Sequence, residues 1–170
     1  APPLALQGLW TADEGTLPPW RGDYHNDLNT QMTYWAYLTA NHLDAGLSFL
    51  DFLWSLLPTF RRQAREFMGT GGAWVPGVMA LNGQAMAGWS QYTHSPTNGA
   101  WVAQAFHLHW RHTLDGEFLR ERAYPFCAAV GECLAELLRP NEAGWLKLPL
   151  SSSPEVHDAR RAAWLQPNSN

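Results

Sequence analysis

From Leu28 onward, apolar residues return at the three- and four-residue steps of a helix. Leu28, Met32, Trp35 and, after a polar turn, Leu43 form one stripe, which predicts a first helix of about four turns interrupted at Asp44 and Gly46. Leu47, Leu50, Trp54 and Leu57 predict a second helix. It breaks near Pro58, whose missing amide cannot bond back one turn, and the basic stretch FRRQAREF continues past the break. These two elements make a helical hairpin. Residues 69–97 are rich in glycine and carry no period, and so long an irregular segment is expected to build a site or its rim. Helical spacing resumes at Asn98 and runs through Val102, Ala105, Phe106 and Trp110 to the sequence LDG. Another helix then carries Phe126, Val130, Cys133 and Leu137 on one stripe and closes at Pro140, giving a second hairpin. GWLKLPL is short and strand-like, and SSSPEVHD is turn-like. Strands and helices do not alternate, which argues against a doubly wound sheet and for an all-α array or toroid of helical hairpins. The two pairs differ in length and share no repeat signature, so a regular solenoid is not expected.

Composition narrows this picture. With 170 residues the chain is long enough for one domain with a core, or for a portion of a larger one. Only 15% of residues are charged, fewer than an isolated surface ordinarily carries, so part of the surface is expected to face more protein. A net charge of -4 without any run of Lys or Arg argues against nucleic acid or an anionic membrane as partner, and for a neutral ligand. No stretch reaches the roughly 20 uninterrupted apolar residues of a membrane span. The opening APPLALQGLW lacks the basic and long apolar regions of a signal peptide and reads as the middle of a protein, which leaves localisation open. Cys127 and Cys133 lie about 120° apart around a helix axis, a poor geometry for a bridge. The ten Trp residues have two readings: core packing, or a cleft whose rings stack on the C–H faces of sugars.

The segment YHNDLN is the first candidate for chemistry. In an extended approach to a helix, side chains alternate, so Asp27 and Asn29 would face one way and hold a water between them while Leu28 faces the core. The alternative is that either residue simply caps the helix. Glu155 also has two readings. Ser152, Pro154 and Glu155 have the spacing of a capping box, whereas a carboxyl beside Trp145 or Trp164 could keep its proton and serve as a general acid. A glycosidase needs such an acid on one side of the scissile bond and a base on the other. In HLHWRH only His109 and His112 share a helix face and no suitable third ligand is near, so no metal site is expected. Phosphate-cradling, dinucleotide and nucleophile-elbow motifs do not occur, and no cofactor is expected.

Taken in order, LQGLW, PPWRGDYHNDLNTQMTYW, SPTNGAWVAQAFHLHWRHTLDGEFLRERAYPF and GWLKLPLSSSPE resemble the catalytic domain of glycoside hydrolase family 95, the inverting α-L-fucosidases and their α-L-galactosidase relatives. The resemblance covers nearly the whole chain. It implies an (α/α)6 toroid of six helical hairpins, of which residues 1–170 would be the N-terminal portion, with the remainder of the same catalytic domain as partner. A portion of a ring leaves apolar faces open and is expected to fold poorly by itself. In the family, two Asn separated by one residue help an Asp activate the attacking water. Asn29 matches the second Asn, and Asp27 stands where the first is expected. The family's acid falls on Glu155, followed here by Val156 where Asn is common, and the match puts His25 in the sugar pocket. The family's catalytic Asp lies beyond residue 170, and no residue here is assigned to it.

The resemblance thus implies inverting hydrolysis of an α-L-fucoside or α-L-galactoside within an oligosaccharide or polysaccharide, by Glu155 as acid and a water held by Asp27 and Asn29. If Asp27 is the base, its carboxyl and that of Glu155 should lie about 6.5–9.5 Å apart. Trp20, Trp35, Trp74, Trp89 and Trp101 are candidate pocket walls, with Trp89 and His94 favoured for sugar binding because they sit in irregular chain. Three alternatives remain open: a six-hairpin glycosidase of other sugar specificity, a toroid that binds carbohydrate without turnover, and a helical scaffold with an apolar groove for protein.

Overall fold

The computed structural model describes residues 3–8, 19–86, 93–148 and 151. Six α-helices lie among these residues: α1 (Asn29–Thr39), α2 (Leu47–Ser55), α3 (Leu57–Gln63), α4 (Asn98–Thr113), the single turn α5 (Gly116–Phe118) and α6 (Tyr124–Leu137). The strands are two residues each. β1 (Tyr24–His25) pairs antiparallel with β2 (Val78–Met79), and β3 (Arg139–Pro140) with β4 (Leu146–Lys147). The all-α expectation holds.

The second hairpin forms as its periodicity predicts. Val102 and Phe106 of α4 and Phe126, Val130 and Cys133 of α6 are all buried. Phe106 stacks on Phe126 with ring centroids 4.2 Å apart. Cys127 and Cys133 are both free thiols. In the first hairpin the break falls at Leu56, because Pro58 is accommodated only in the first turn of α3. Phe49, Leu50 and Leu53 of α2 and Leu57 and Phe60 of α3 then join the same core.

The stripe assigned to α1 is corrected by the structure. Leu28 is 43% exposed, Met32 54% and Trp35 46%, whereas Thr30, Gln31, Tyr37 and Leu38 are buried. The 100° step per residue puts these two sets on different, adjoining faces. The inward choice is made by packing: Tyr34 stacks on Phe49 at 4.5 Å, and Tyr37 reaches His109 of α4. Helix α1 also ends at Thr39, so Leu43 falls into a separate 3-10 turn, Leu43–Gly46.

The irregular segment after α3 is not a surface rim over its first part. Residues 73–79 are buried without interruption. The Ala73 amide donates to the carbonyl of Ala129 at 2.8 Å, and the Trp74 amide to that of Phe60 at 3.1 Å, so this stretch threads between the two hairpins. Gly72 makes the entry possible. Its φ is +66°, and a Cβ there would collide with the carbonyl oxygen of Ala129.

Candidate functional site

The threaded segment delivers the backbone that holds YHNDLN. His25 pairs with Val78 across the β1–β2 ladder, and the Asn26 amide donates to the Gly77 carbonyl at 2.6 Å. Asn26, fully buried, donates from Nδ2 to the Pro76 carbonyl at 2.9 Å, while Gln31 of α1 donates from Nε2 to the Asn26 carbonyl at 2.6 Å. On the other side the Leu6 amide donates to the Asp23 carbonyl at 3.0 Å, and the Tyr24 hydroxyl to Pro3 at 2.8 Å. The corner between β1 and α1 is therefore fixed from both flanks.

Side chains alternate along extended chain such as β1. Tyr24 and Asn26 enter the core and the Pro76 hook, while Asp23, His25 and Asp27 come together. His25 Nε2 lies 3.0 Å from Asp23 Oδ1, and His25 Nδ1 lies 3.7 Å from Asp27 Oδ1. These are ion-pair separations; neither meets the geometry of an aligned hydrogen bond. The side chains of Asp23 and His25 are 7% exposed and that of Asp27 is 11% exposed, so the cluster is screened little by water. Trp20 meets the His25 ring edge-on at 5.8 Å. Its backbone sits in the left-handed region at φ +62°, which an L-residue with a large side chain seldom adopts, and its indole is 45% exposed.

Asn29 is the first residue of α1 and is exposed. The extended strand ends at His25, and the turn formed by residues 26–28 leads into α1, so the alternation expected through Leu28 does not carry on to Asn29. Leu28 therefore does not anchor the loop in the core. It occupies the helix cap itself and makes no side-chain cap bond, so neither Asp27 nor Asn29 is the N-cap residue of α1.

His94 is half-buried against Phe67, 6.0 Å between ring centroids, and burial lowers its pKa below the ordinary histidine value. Phe67 in turn packs on Trp74 at 5.1 Å. Trp74 is 2% exposed and belongs to a small cluster with Ala64 and Cys133, which removes it as a pocket wall. Trp35 and Trp101, 6.0 Å apart, border a cleft between α1 and α4. Glu155 and Trp89 lie outside the described residues, and so does the separation of Asp27 from Glu155. Ser151, four residues before Glu155, is buried.

Sequence reasoning missed Asp23, although its position two residues before His25 in a strand-like stretch was a usable signal. It also missed Asn26 and Gln31, which hold the corner. Of the histidines in HLHWRH, His109 serves packing and His112 a bond within its own helix. His109 is buried between the Tyr37 hydroxyl, 3.3 Å from Nδ1, and the Phe118 ring, and burial lowers its pKa. His112 places Nδ1 2.9 Å from the Leu108 carbonyl. Among the described residues no group of three or more His, Cys, Asp or Glu is arranged to hold a metal ion, and no helix is long and apolar enough to cross a membrane.

A solved structure described as "Putative kojibiose phosphorylase from human microbiome" superposes with a TM-score of 0.73 at 16% identity, over 89% of this chain and 20% of that one. At that identity the likeness concerns the fold alone, and it agrees with the helical-hairpin toroid. Alpha-L-fucosidase 2 of Arabidopsis thaliana is 30% identical over 158 residues, covering 88% of this chain and 18% of the relative. "Probable alpha-fucosidase A" of Aspergillus niger is 30% identical over 164 residues, covering 90% and 20%. The chain thus spans about a fifth of the length of these two relatives. The model of the glycosyl hydrolase family 95 catalytic domain matches residues 1–166, and the chain belongs to that family.

Proposed function

We propose that the protein is a glycosidase that hydrolyses an α-L-fucoside, or a related α-L-galactoside, with inversion at the anomeric carbon. The 170 residues are read as the N-terminal portion of a single (α/α)6 catalytic domain, whose remainder completes the ring. The observation that carries the reading is Asp27 itself. Its carboxylate is nearly buried, lies beside His25, and stands on a corner fixed by Asn26 and Gln31. Two fucosidases are among its relatives.

In this reading Asp27 and Asn29 hold the attacking water. Glu155 gives its proton to the glycosidic oxygen as the carbon–oxygen bond breaks, and water adds to the opposite face of the anomeric carbon while Asp27 takes the water's proton. One alcohol and one sugar of inverted configuration leave, and the reaction needs no cofactor. His25, His94 and Trp89 contact the sugar, and the exposed ring of Trp20 stands next to that site. An oligosaccharide or polysaccharide is the substrate.

The test uses the full-length protein on aryl α-L-fucosides and α-L-galactosides, with Glu155→Gln beside the wild type. Loss of a general acid should lower turnover by about 10²–10⁴-fold while sugar affinity persists. Unchanged turnover in Glu155→Gln contradicts the assignment. A wild type that binds the sugar and releases no product identifies a carbohydrate-binding toroid instead.

A further inference from the structure

We propose that Asp23 is a positioning residue, which fixes the Asp27 carboxylate through the ring of His25. This rests on the reading of Asp27 as the group that handles the water. Strand β1 and the turn that follows it bring Asp23, His25 and Asp27 together, and backbone pairing of His25 with Val78 fixes where the imidazole stands. The imidazole then lies between two carboxylates, with Nε2 3.0 Å from Asp23 and Nδ1 3.7 Å from Asp27. A half-turn of the ring about its bond to Cβ would replace both nitrogens by carbons and forfeit both contacts. Asp23 makes the closer one, so it selects the orientation in which Nδ1 faces Asp27.

The arrangement follows the general scheme in which a reactive group is held by a second residue that a third one orients. Burial gives the scheme its strength, because a carboxylate and an imidazole that are 7% exposed interact through little intervening water. The Trp20 ring at 5.8 Å limits the space into which the imidazole could swing. Asp23 thus acts on the chemistry through His25.

The experiment compares Asp23→Ala and Asp23→Asn in the full-length protein by kcat and KM on an aryl α-L-fucoside, normalised to folded protein, and by crystal structures of wild type and variants. A misdirected Asp27 should lower kcat of Asp23→Ala by at least about tenfold with KM little changed, as small errors in placement do elsewhere. Asp23→Asn, which keeps an acceptor oxygen and loses the charge, should fall between Asp23→Ala and wild type. In the Asp23→Ala crystal structure the His25 Nδ1–Asp27 contact should be lost. Wild-type kcat in Asp23→Ala, or an unaltered His25–Asp27 contact in its crystal structure, overturns the proposal. Should Asp23→Ala fail to fold, wild-type kcat in Asp23→Asn overturns it alone. If the wild type hydrolyses no fucoside, the glycosidase reading fails, and the crystallographic contact still decides whether Asp23 orients the ring.

Discussion

Asn26 donates from its side-chain amide to the carbonyl of Pro76 across 2.9 Å, joining two segments fifty residues apart. Both ends of this bond are buried, and the same residue also donates through its backbone amide to Gly77. The loop after α3 and the corner before α1 are thereby one mechanical unit. The His25–Asp27 contact sits on it.

Removing the hook should therefore affect stability and site together. Asn26→Ala leaves the Pro76 carbonyl buried without its donor, a loss of about 1–3 kcal/mol. Urea unfolding of the intact protein, followed by proteolytic susceptibility of the 73–79 region, should show the loss. Fucosidase kcat should fall in the same variant. Intact activity in a measurably destabilised Asn26→Ala would separate the hook from the site.

Two glycines should respond with opposite signs. Gly72→Ala places a methyl group against the Ala129 carbonyl at a positive φ, and should cost more than about 1 kcal/mol, the scale of backbone incompatibility. Gly131 lies within α6, with nothing within 4 Å of an added Cβ. Gly131→Ala should stabilise by about 0.5–1 kcal/mol, because alanine loses less backbone entropy in a helix. Thermal scans of the two variants side by side check both signs.

The Phe106–Phe126 stack joins the two helices of the second hairpin, and both rings are fully buried. Phe106→Ala should cost about 3–5 kcal/mol by lost transfer energy and cavity formation. Hydrogen exchange in α4 and α6 should accelerate together. Acceleration confined to α4 would show that the pair is not a shared core.

His109 gives stability a dependence on pH. Burial depresses its folded-state pKa below the ordinary value, so the unfolded chain binds a proton that the native site resists. Its contribution is complete above about pH 6.5 and is lost as pH falls from there toward the depressed folded value. His109→Gln should flatten that part of the stability curve. Tyr37 acts at the other extreme: burial pushes its pKa up to about 12, so stability should decline as pH rises above the ordinary tyrosine value toward about 12. Denaturant midpoints measured against pH for wild type, His109→Gln and Tyr37→Phe read both effects.

The second hairpin was legible because Phe126, Val130, Cys133 and Leu137 repeat at helical spacing with no competing apolar face. Helix α1 misled because it is apolar on both faces. Leu28, Met32 and Trp35 make one stripe, and Tyr34, Tyr37 and Leu38 make the other, so only packing against Phe49 and His109 decides between them. The threaded run from Ala73 to Met79 had no period to read, since its burial comes from partners on α3 and α6. At the site, local alternation and resemblance pointed to His25, Asp27 and Asn29. Asp23 was overlooked although its contact with His25 is local, whereas the hook of Asn26 emerges only where residues 24–26 meet 76–79, a contact between residues distant in sequence.

In the proposed mechanism a water held at Asp27 attacks the sugar directly. That attack is tested most directly by following, with proton NMR, the first anomer released when the full-length protein cleaves an aryl α-L-fucoside, with Asp27→Asn assayed in parallel. β-L-fucose should be the first product from wild type, and Asp27→Asn should show a marked loss of rate. Initial release of α-L-fucose, or an Asp27→Asn variant as fast as wild type, contradicts the mechanism.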